Sequence, residues 1–459
     1  MSERLRDGRK NLAGKMQRAL IVLIVCLAGY LIYKVWGGEL FHRMRYETET
    51  EAVTSLPEKI EESGKTGTDV LPAYYDAREE GRAPTVKDQG ERSTCWAVTA
   101  SSALEAALLP RERLVFSADH ISRQNAYGKE LEEGGAYAMA ISYLAGWLGP
   151  VKEEDDPYGD GVSPKGLPPV CHVQEMQILQ EKDIKEVKEL VYQCGAVQSS
   201  FYMDMENSAH SSVYYNEFAH AYCYAGNKAA NHDVLIIGWD DNYPKSNFSV
   251  NVKENGAFIC QNSWGEKFGE NGVFYISYED ALIGSSCVGY TRVEGTDNYS
   301  GIYQTDLCGW IGQIGFESPT CYFSNVYTAK EAETLAAVGF YATGRDTEYT
   351  VYVTEDFTAS QSLLRKKEAA SGKLENAGYY TIDLEEGIRL EQGQRFAVTV
   401  KIRTPDSRYP VAAEYQADED SSNVTIGDGE GYLSTDGVFW KNTEESYGCN
   451  VCLKAYTRK

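Results

Sequence analysis

The chain has 459 residues, 42% of them hydrophobic and 24% charged, with a formal net charge of −24. That length supports two domains with full cores plus appendages. So acidic a balance excludes a nucleic-acid partner, because phosphate binding needs a concentrated basic face.

Positive charge gathers at the start. Arg4, Arg6, Arg9, Lys10, Lys15 and Arg18 precede the apolar run ALIVLIVCLAGYLIY (Ala19–Tyr33), which Lys34 interrupts and Val35-Trp36 closes. At about 1.5 Å per residue, residues 19–36 just cross a bilayer. The expectation is a cytoplasmic basic tail over 1–18 and a transmembrane signal-anchor over 19–36. A cleaved secretory signal peptide is the alternative, disfavoured because no small-x-small cleavage site follows Tyr33. In both cases the positive-inside rule exports everything after Trp36. The globular part is therefore expected outside the cell, joined to the cell membrane by a single pass. Residues 37–70, which include YETETEAVTSLPEKIEESGKTGT (Tyr46–Thr68), are acidic and poor in large apolar groups, so they read as a linker.

From 71 to 292 the pattern changes once. Helical runs come first, at Ser93–Leu109, Gly134–Leu148 and Glu181–Gly195. Strand-like runs follow: AVQSSFYM, HDVLIIGW, AFICQNSW and GVFYISY. This order predicts an α+β domain in two lobes. From 293 to 459 the signal is β throughout, in AAVGFYATG, TEYTVYVTEDF, GYYTIDL, RFAVTVKI and YPVAAEY, which predicts a sandwich or jelly roll. RFAVTVKI places Phe396, Val398, Val400 and Ile402 on one face of a half-buried strand.

The stretch KDQGERSTCWAVTASSALEAALL (87–109) puts a cysteine where a polar loop turns into a helix. Ser93 or Thr94 can cap that helix, whose first turn holds Cys95 and Trp96. The positive end of the backbone dipole favours a thiolate there. The nucleophile still needs a proton acceptor, and histidine suits the task. Of six histidines, His232 opens the apolar strand run HDVLIIGW. Asn262, in ICQNSWGEKFGENGVFYISY, can accept from the second imidazole nitrogen and fix the ring. Trp264 can shield that bond from water. Gln89 can donate its amide to a developing oxyanion beside the Cys95 N–H. His120, His172, His210 and His220 show no paired metal spacing, so neither metal nor other cofactor is assigned.

Gln-Gly-x-x-x-x-Cys-Trp, then His before an apolar-Gly-aromatic strand, then Asn-Ser-Trp-Gly with Gly-x-Asn-Gly after it, resembles the papain/cathepsin-like cysteine peptidases. In that family His and Asn lie about 130–150 residues after the cysteine; here His232 follows Cys95 by 137 residues and Asn262 by 167. The resemblance covers about Leu71–Arg292. It implies Cys95 as nucleophile, His232 as base and acid, Asn262 as orienter and Gln89 as oxyanion donor. Gly134 and Gly135 match its substrate-lining glycines, and Asp156-Pro157-Tyr158 its Pro-Tyr turn. The C-terminal region resembles the lectin-like domain that accompanies some bacterial surface peptidases of this kind.

The chain departs from the family pattern in several places. Arg92 stands where many members carry a disulfide cysteine, and Ser93 where they carry glycine. Asp233 replaces a small apolar residue, and on the second substrate pocket it implies a preference for basic side chains. Cys223 and Cys287 match a family disulfide position. Cys449-x-x-Cys452 reads as a strand pair or as two free thiols. The expected function is a membrane-anchored extracellular cysteine endopeptidase acting on proteins or peptides. The alternative is a catalytically silent surface protein that binds carbohydrate or cell wall through its β domain, where Trp310 and Trp440 are candidate platforms although strand aromatics more often serve the core.

Overall fold

The computed structural model describes residues 71–459 apart from Glu130 and Asp428, so the expected basic tail, membrane span and linker lie outside the described residues. Among the described residues no helix is long and apolar enough to cross a membrane.

The first half opens with β1 (Tyr74–Asp76), α1 (Cys95–Leu108), α2 (Ala118–Arg123) and α3 (Tyr137–Ala145). Strand β2 (His172–Leu179) and helix α4 (Ile184–Cys194) follow. Then come β3 (Val197–Phe201), β4 (Tyr215–Asn216), β5 (Ala221–Tyr222), β6 (His232–Asp240), β7 (Ala257–Gln261), β8 (Val273–Ser277) and β9 (Cys287–Glu294). The Ala-rich α1 is buried on nearly every side, as a helix without a polar face must be. Helix α4 is amphipathic, capped by Asp183, whose carboxylate accepts from the Lys185 and Glu186 N–H groups, and stopped by Gly195 at φ 86°.

The second half is β-rich, as expected. It comprises β10 (Gly301–Tyr303), β11 (Gly312–Ile314), β12 (Thr320–Thr328), β13 (Glu333–Ala342), β14 (Thr347–Thr354), β15 (Lys367–Leu374) and β16 (Ala377–Leu390). These are followed by β17 (Arg395–Arg403), β18 (Val411–Glu414), β19 (Gly431–Ser434), β20 (Lys441–Asn442), the short helix α5 (Thr443–Tyr447), β21 (Asn450–Val451) and β22 (Leu453–Arg458).

One sheet passes through both halves. Its order is β10-β22-β13-β16-β2-β9-β3-β6-β7-β8-β5-β4, with β1 on β6. The junction is the antiparallel pair β16–β2, in register Ala377↔Ile178 to Tyr380↔Glu175. Gly378, at φ 142°, allows it: a Cβ there would lie 2.0 Å from the Met176 carbonyl oxygen. Tyr341, Ala377, Tyr379, Ala412 and Cys452 from the second half are buried in the same apolar cluster as Trp96, Met176 and Trp239. A second sheet, β15-β14-β17-β12-β19-β20, carries the other wall of the C-terminal core.

Three local expectations change. Strand β2 sits among the predicted helices, where its Gln and Glu residues mask the apolar alternation. Strand β17 is buried on both faces at its centre: Phe396, Val398, Val400 and Ile402 face one cluster, and Ala397 packs with Phe357 and Leu363 on the other. The ten described cysteines are all free thiols, Cys449 and Cys452 among them. No Cys223–Cys287 bridge exists, because Cys223 follows β5 while Cys287 opens β9, with β3, β6, β7 and β8 between them in the sheet.

Candidate active site

Two segments zip together to build the site. The Gln89 N–H donates to the Ser263 carbonyl at 2.7 Å and the Gly265 N–H to the Lys87 carbonyl at 3.0 Å, with Asp88 bridged to Trp264 between them. Ser263 Oγ donates to Gln89 Oε1 at 2.6 Å, which aims the amide nitrogen the other way. Gln89 Nε2 then donates to the Arg92 carbonyl at 2.6 Å, leaving its second hydrogen free. Lys87 anchors the loop inward, donating to Ser101 Oγ, Glu105 Oε1 and the Phe116 carbonyl at 2.6–2.8 Å.

Cys95 is the first residue of α1. Its sulfur is faced by the N–H groups of Cys95, Trp96 and Asp233, which favour the thiolate, but burial and then the Asp233 charge push the thiol up to about 12. Thr94 occupies the cap position without capping; its hydroxyl meets that of Tyr158 at 2.5 Å. Gly135 lies flat on the Trp96 ring, where a Cβ would come within 2.3 Å, and Gly134, at φ 74°, faces the Ser93 carbonyl. Both glycines therefore flank the start of α1.

His232 begins β6, opposite Phe201 of β3. Its Nε2 donates to Asn262 Oδ1 at 2.8 Å. That oxygen also accepts from the Ser263 N–H at 2.9 Å, which fixes the orientation of the carboxamide. A protonated Nε2 leaves Nδ1 as the bare, basic nitrogen. Trp264 and Phe201 pack on the ring at centroid distances of 5.0 and 5.9 Å. Burial lowers the imidazole to about 4, only partly offset by the Asn262 bond. No hydrogen bond joins Cys95 Sγ to the imidazole; the sulfur rests against the backbone of Asp233, the next residue along. Burial therefore disfavours an isolated charge on either the sulfur or the imidazole. Contacts of this kind commonly tighten only when substrate binds.

Asp233 is 7% exposed. Its carboxylate accepts from Gln198 Nε2 at 2.6 Å, and the same nitrogen donates to the Trp96 carbonyl at 3.1 Å. Ser200 adds a further bond, and burial raises the carboxyl. Gln198, a buried amide within the run AVQSSF, escaped the sequence reading because a single polar residue in a strand carries no specific signal. Arg92 and Tyr158 were visible only as a departure and as a turn.

The other described histidines lie elsewhere. His120 Nδ1 bonds to Tyr143, and His172 stacks on Trp147 at 3.7 Å. Trp310 packs beside Tyr341, and Trp440 packs edge-on to Tyr322 beneath Lys366; both rings are half-buried. Among the described residues, Asp119, Asp156 and Asp160 gather their carboxylates within 4.8 Å of one another, but Asp119 is already matched by Arg92 and Arg123.

A family model described as papain family cysteine protease matches residues 71–292, and one described as lectin-like domain matches 302–457. The chain therefore carries a papain-family cysteine protease domain followed by a lectin-like domain. Cysteine proteinase 1 of Zea mays is 28% identical over 237 residues, covering 48% of this chain, and Pro-cathepsin H of Mus musculus is 26% identical over 234 residues, covering 49%. The chain spans 60% and 66% of the length of these curated relatives. The clostridial cysteine protease Cwp84 after propeptide cleavage is 26% identical, with a TM-score of 0.73 over 84% of this chain and 99% of that one. A second structure, of the cysteine protease and lectin-like domains of Cwp84 from Clostridium difficile, shares the fold at 24% identity and a TM-score of 0.72, covering 89% and 99%.

Proposed function

We propose that this protein is a cysteine endopeptidase working outside the cell, held at the membrane by residues 19–36, with Cys95, His232, Asn262 and Gln89 as its catalytic set. The observation that carries this reading is the His232–Asn262 bond, which leaves Nδ1 as the basic nitrogen on the residue next to Asp233, whose backbone faces the Cys95 sulfur. As the sulfur attacks the scissile carbonyl, its proton passes to Nδ1, so the two charges form together and compensate each other in a site that penalises either alone. The tetrahedral oxyanion accepts from the Cys95 N–H and the spare Gln89 hydrogen. The imidazolium protonates the departing amine, and the same nitrogen then activates the water that frees the acid. Asp233, buried without a cationic partner among the described residues, gives the neighbouring subsite a preference for basic side chains. The lectin-like domain is proposed to bring the enzyme to carbohydrate or cell wall.

Labelling with an epoxide-type thiol inhibitor tests the assignment. The full chain should label and cleave peptides, and Cys95→Ala should do neither. Activity that survives the substitution would remove the triad, and a wild-type chain that neither labels nor cleaves would favour the silent binding protein.

A further inference from the structure

The turn between Gln89 and Cys95 is gripped by two side chains with no part in the scheme above. The Arg92 carbonyl receives the Gln89 amide, while its guanidinium reaches away from the nucleophile. Nη1 donates to Asp119 Oδ1 at 3.0 Å and Nη2 to the Gly159 carbonyl at 3.3 Å. The guanidinium carbon lies 5.4 Å over the Tyr158 ring. Tyr158 closes the circuit: its hydroxyl donates to the Gln89 carbonyl at 2.9 Å and meets Thr94 Oγ1. Asp119 is fully buried, and Arg123 at 3.3 Å also faces it. A buried carboxylate left short of a partner is costly, so this anchor resists displacement.

Thr94 shows the consequence. An N-cap hydroxyl ordinarily accepts from one of the first free N–H groups of its helix. Here Tyr158 draws that hydroxyl away, and the Trp96 N–H stays available to the Cys95 sulfur. The same clamp thus fixes the Gln89 amide on one side of the nucleophile and keeps the helix end unblocked on the other.

We propose that Arg92 and Tyr158 are positioning residues for the oxyanion site, holding the 89–94 turn so that the Gln89 amide is aimed beside Cys95. This rests on the roles assigned above to Cys95 and Gln89. Losing one oxyanion donor costs about 10²–10³ in kcat. Misplacing that donor in Arg92→Ala or Tyr158→Phe should lower kcat on a peptide amide by roughly 10- to 100-fold, with KM within about two-fold. Alkylation of Cys95 by iodoacetamide, which forms no oxyanion, should change by less than about two-fold in Arg92→Ala, where Tyr158 still holds the Thr94 hydroxyl off the helix end. Either substitution combined with Gln89→Ala should be no worse than Gln89→Ala alone. Arg92→Lys keeps the charge but loses the fork and the flat stack, so it should recover part of kcat; it also serves if Arg92→Ala does not fold. An unchanged kcat, a fully additive double variant, or loss of alkylation in step with kcat in Arg92→Ala each overturns the proposal. Full activity in Gln89→Ala overturns the Gln89 role and the clamp together, whereas activity in Cys95→Ala overturns the peptidase reading itself.

Discussion

Asp233 touches the nucleophile in three ways. Its N–H faces the Cys95 sulfur, its carbonyl accepts from Thr99 Oγ1 one turn into α1 at 3.3 Å, and its carboxylate raises the thiol. In a low-dielectric pocket the charge matters more than its distance suggests. Replacing it by the isosteric amide removes a negative charge that opposes the thiolate, so the thiol must fall. For Asp233→Asn, the pH dependence of iodoacetamide alkylation at Cys95 should therefore move to lower pH. The same variant should lose selectivity for basic side chains in a peptide-library profile. An unmoved alkylation profile would mean that the carboxylate does not act on the sulfur, and a library already apolar in the wild type would remove the subsite reading.

The β2–β16 junction carries a second carboxyl, half-buried. Glu175, opposite Tyr380 across that junction, accepts from Thr291 Oγ1 at 2.7 Å and Gln177 Nε2 at 2.9 Å. Burial raises its carboxyl to about 7, with the Thr291 bond and the Arg292 charge pulling the other way. A folded value above the unfolded one favours the protonated form in the fold. Glu175 is therefore tolerated fully below the unfolded value of 4.5, and stability is lost as pH rises through about 7. The penalty above that range is at most about 3 kcal/mol. Glu175→Gln should melt close to the wild type at pH 4.5 and above it at pH 8, by circular dichroism. A constant difference across that range would show that this carboxyl does not titrate as argued.

At the scale of the whole molecule, the lectin-like half serves as structure as well as a second module. Its Tyr379 and Cys452 are buried in the protease core, and its β16 covers the edge of β2. Ion pairs such as Arg292–Asp383 at 3.0 Å and Lys129–Asp420 at 2.7 Å cross the same boundary. Deleting 302–459 would expose a long strand edge and apolar side chains, both recipes for edge-to-edge association. The fragment 71–301 should be aggregated by size-exclusion chromatography, whereas a soluble monomer with native activity would show that the halves fold independently.

Much of this was legible along the chain. The helix that starts at Cys95, the strands that start at His232 and end before Asn262, and the β texture after 293 all follow from local periodicity and punctuation. Residues within a few positions of one another impose those signals. What joins distant segments leaves no such trace: the Gln198 link between Asp233 and Trp96, the Arg92–Asp119–Tyr158 clamp, the unbridged cysteines and the sheet shared through Gly378. Each depends on two segments brought together in space by burial of the apolar surface between them. Sequence alone determined which groups are available for thiol chemistry. Only the tertiary structure decided how they are held, because the burial that penalises a lone charge on either group comes from segments distant in the chain.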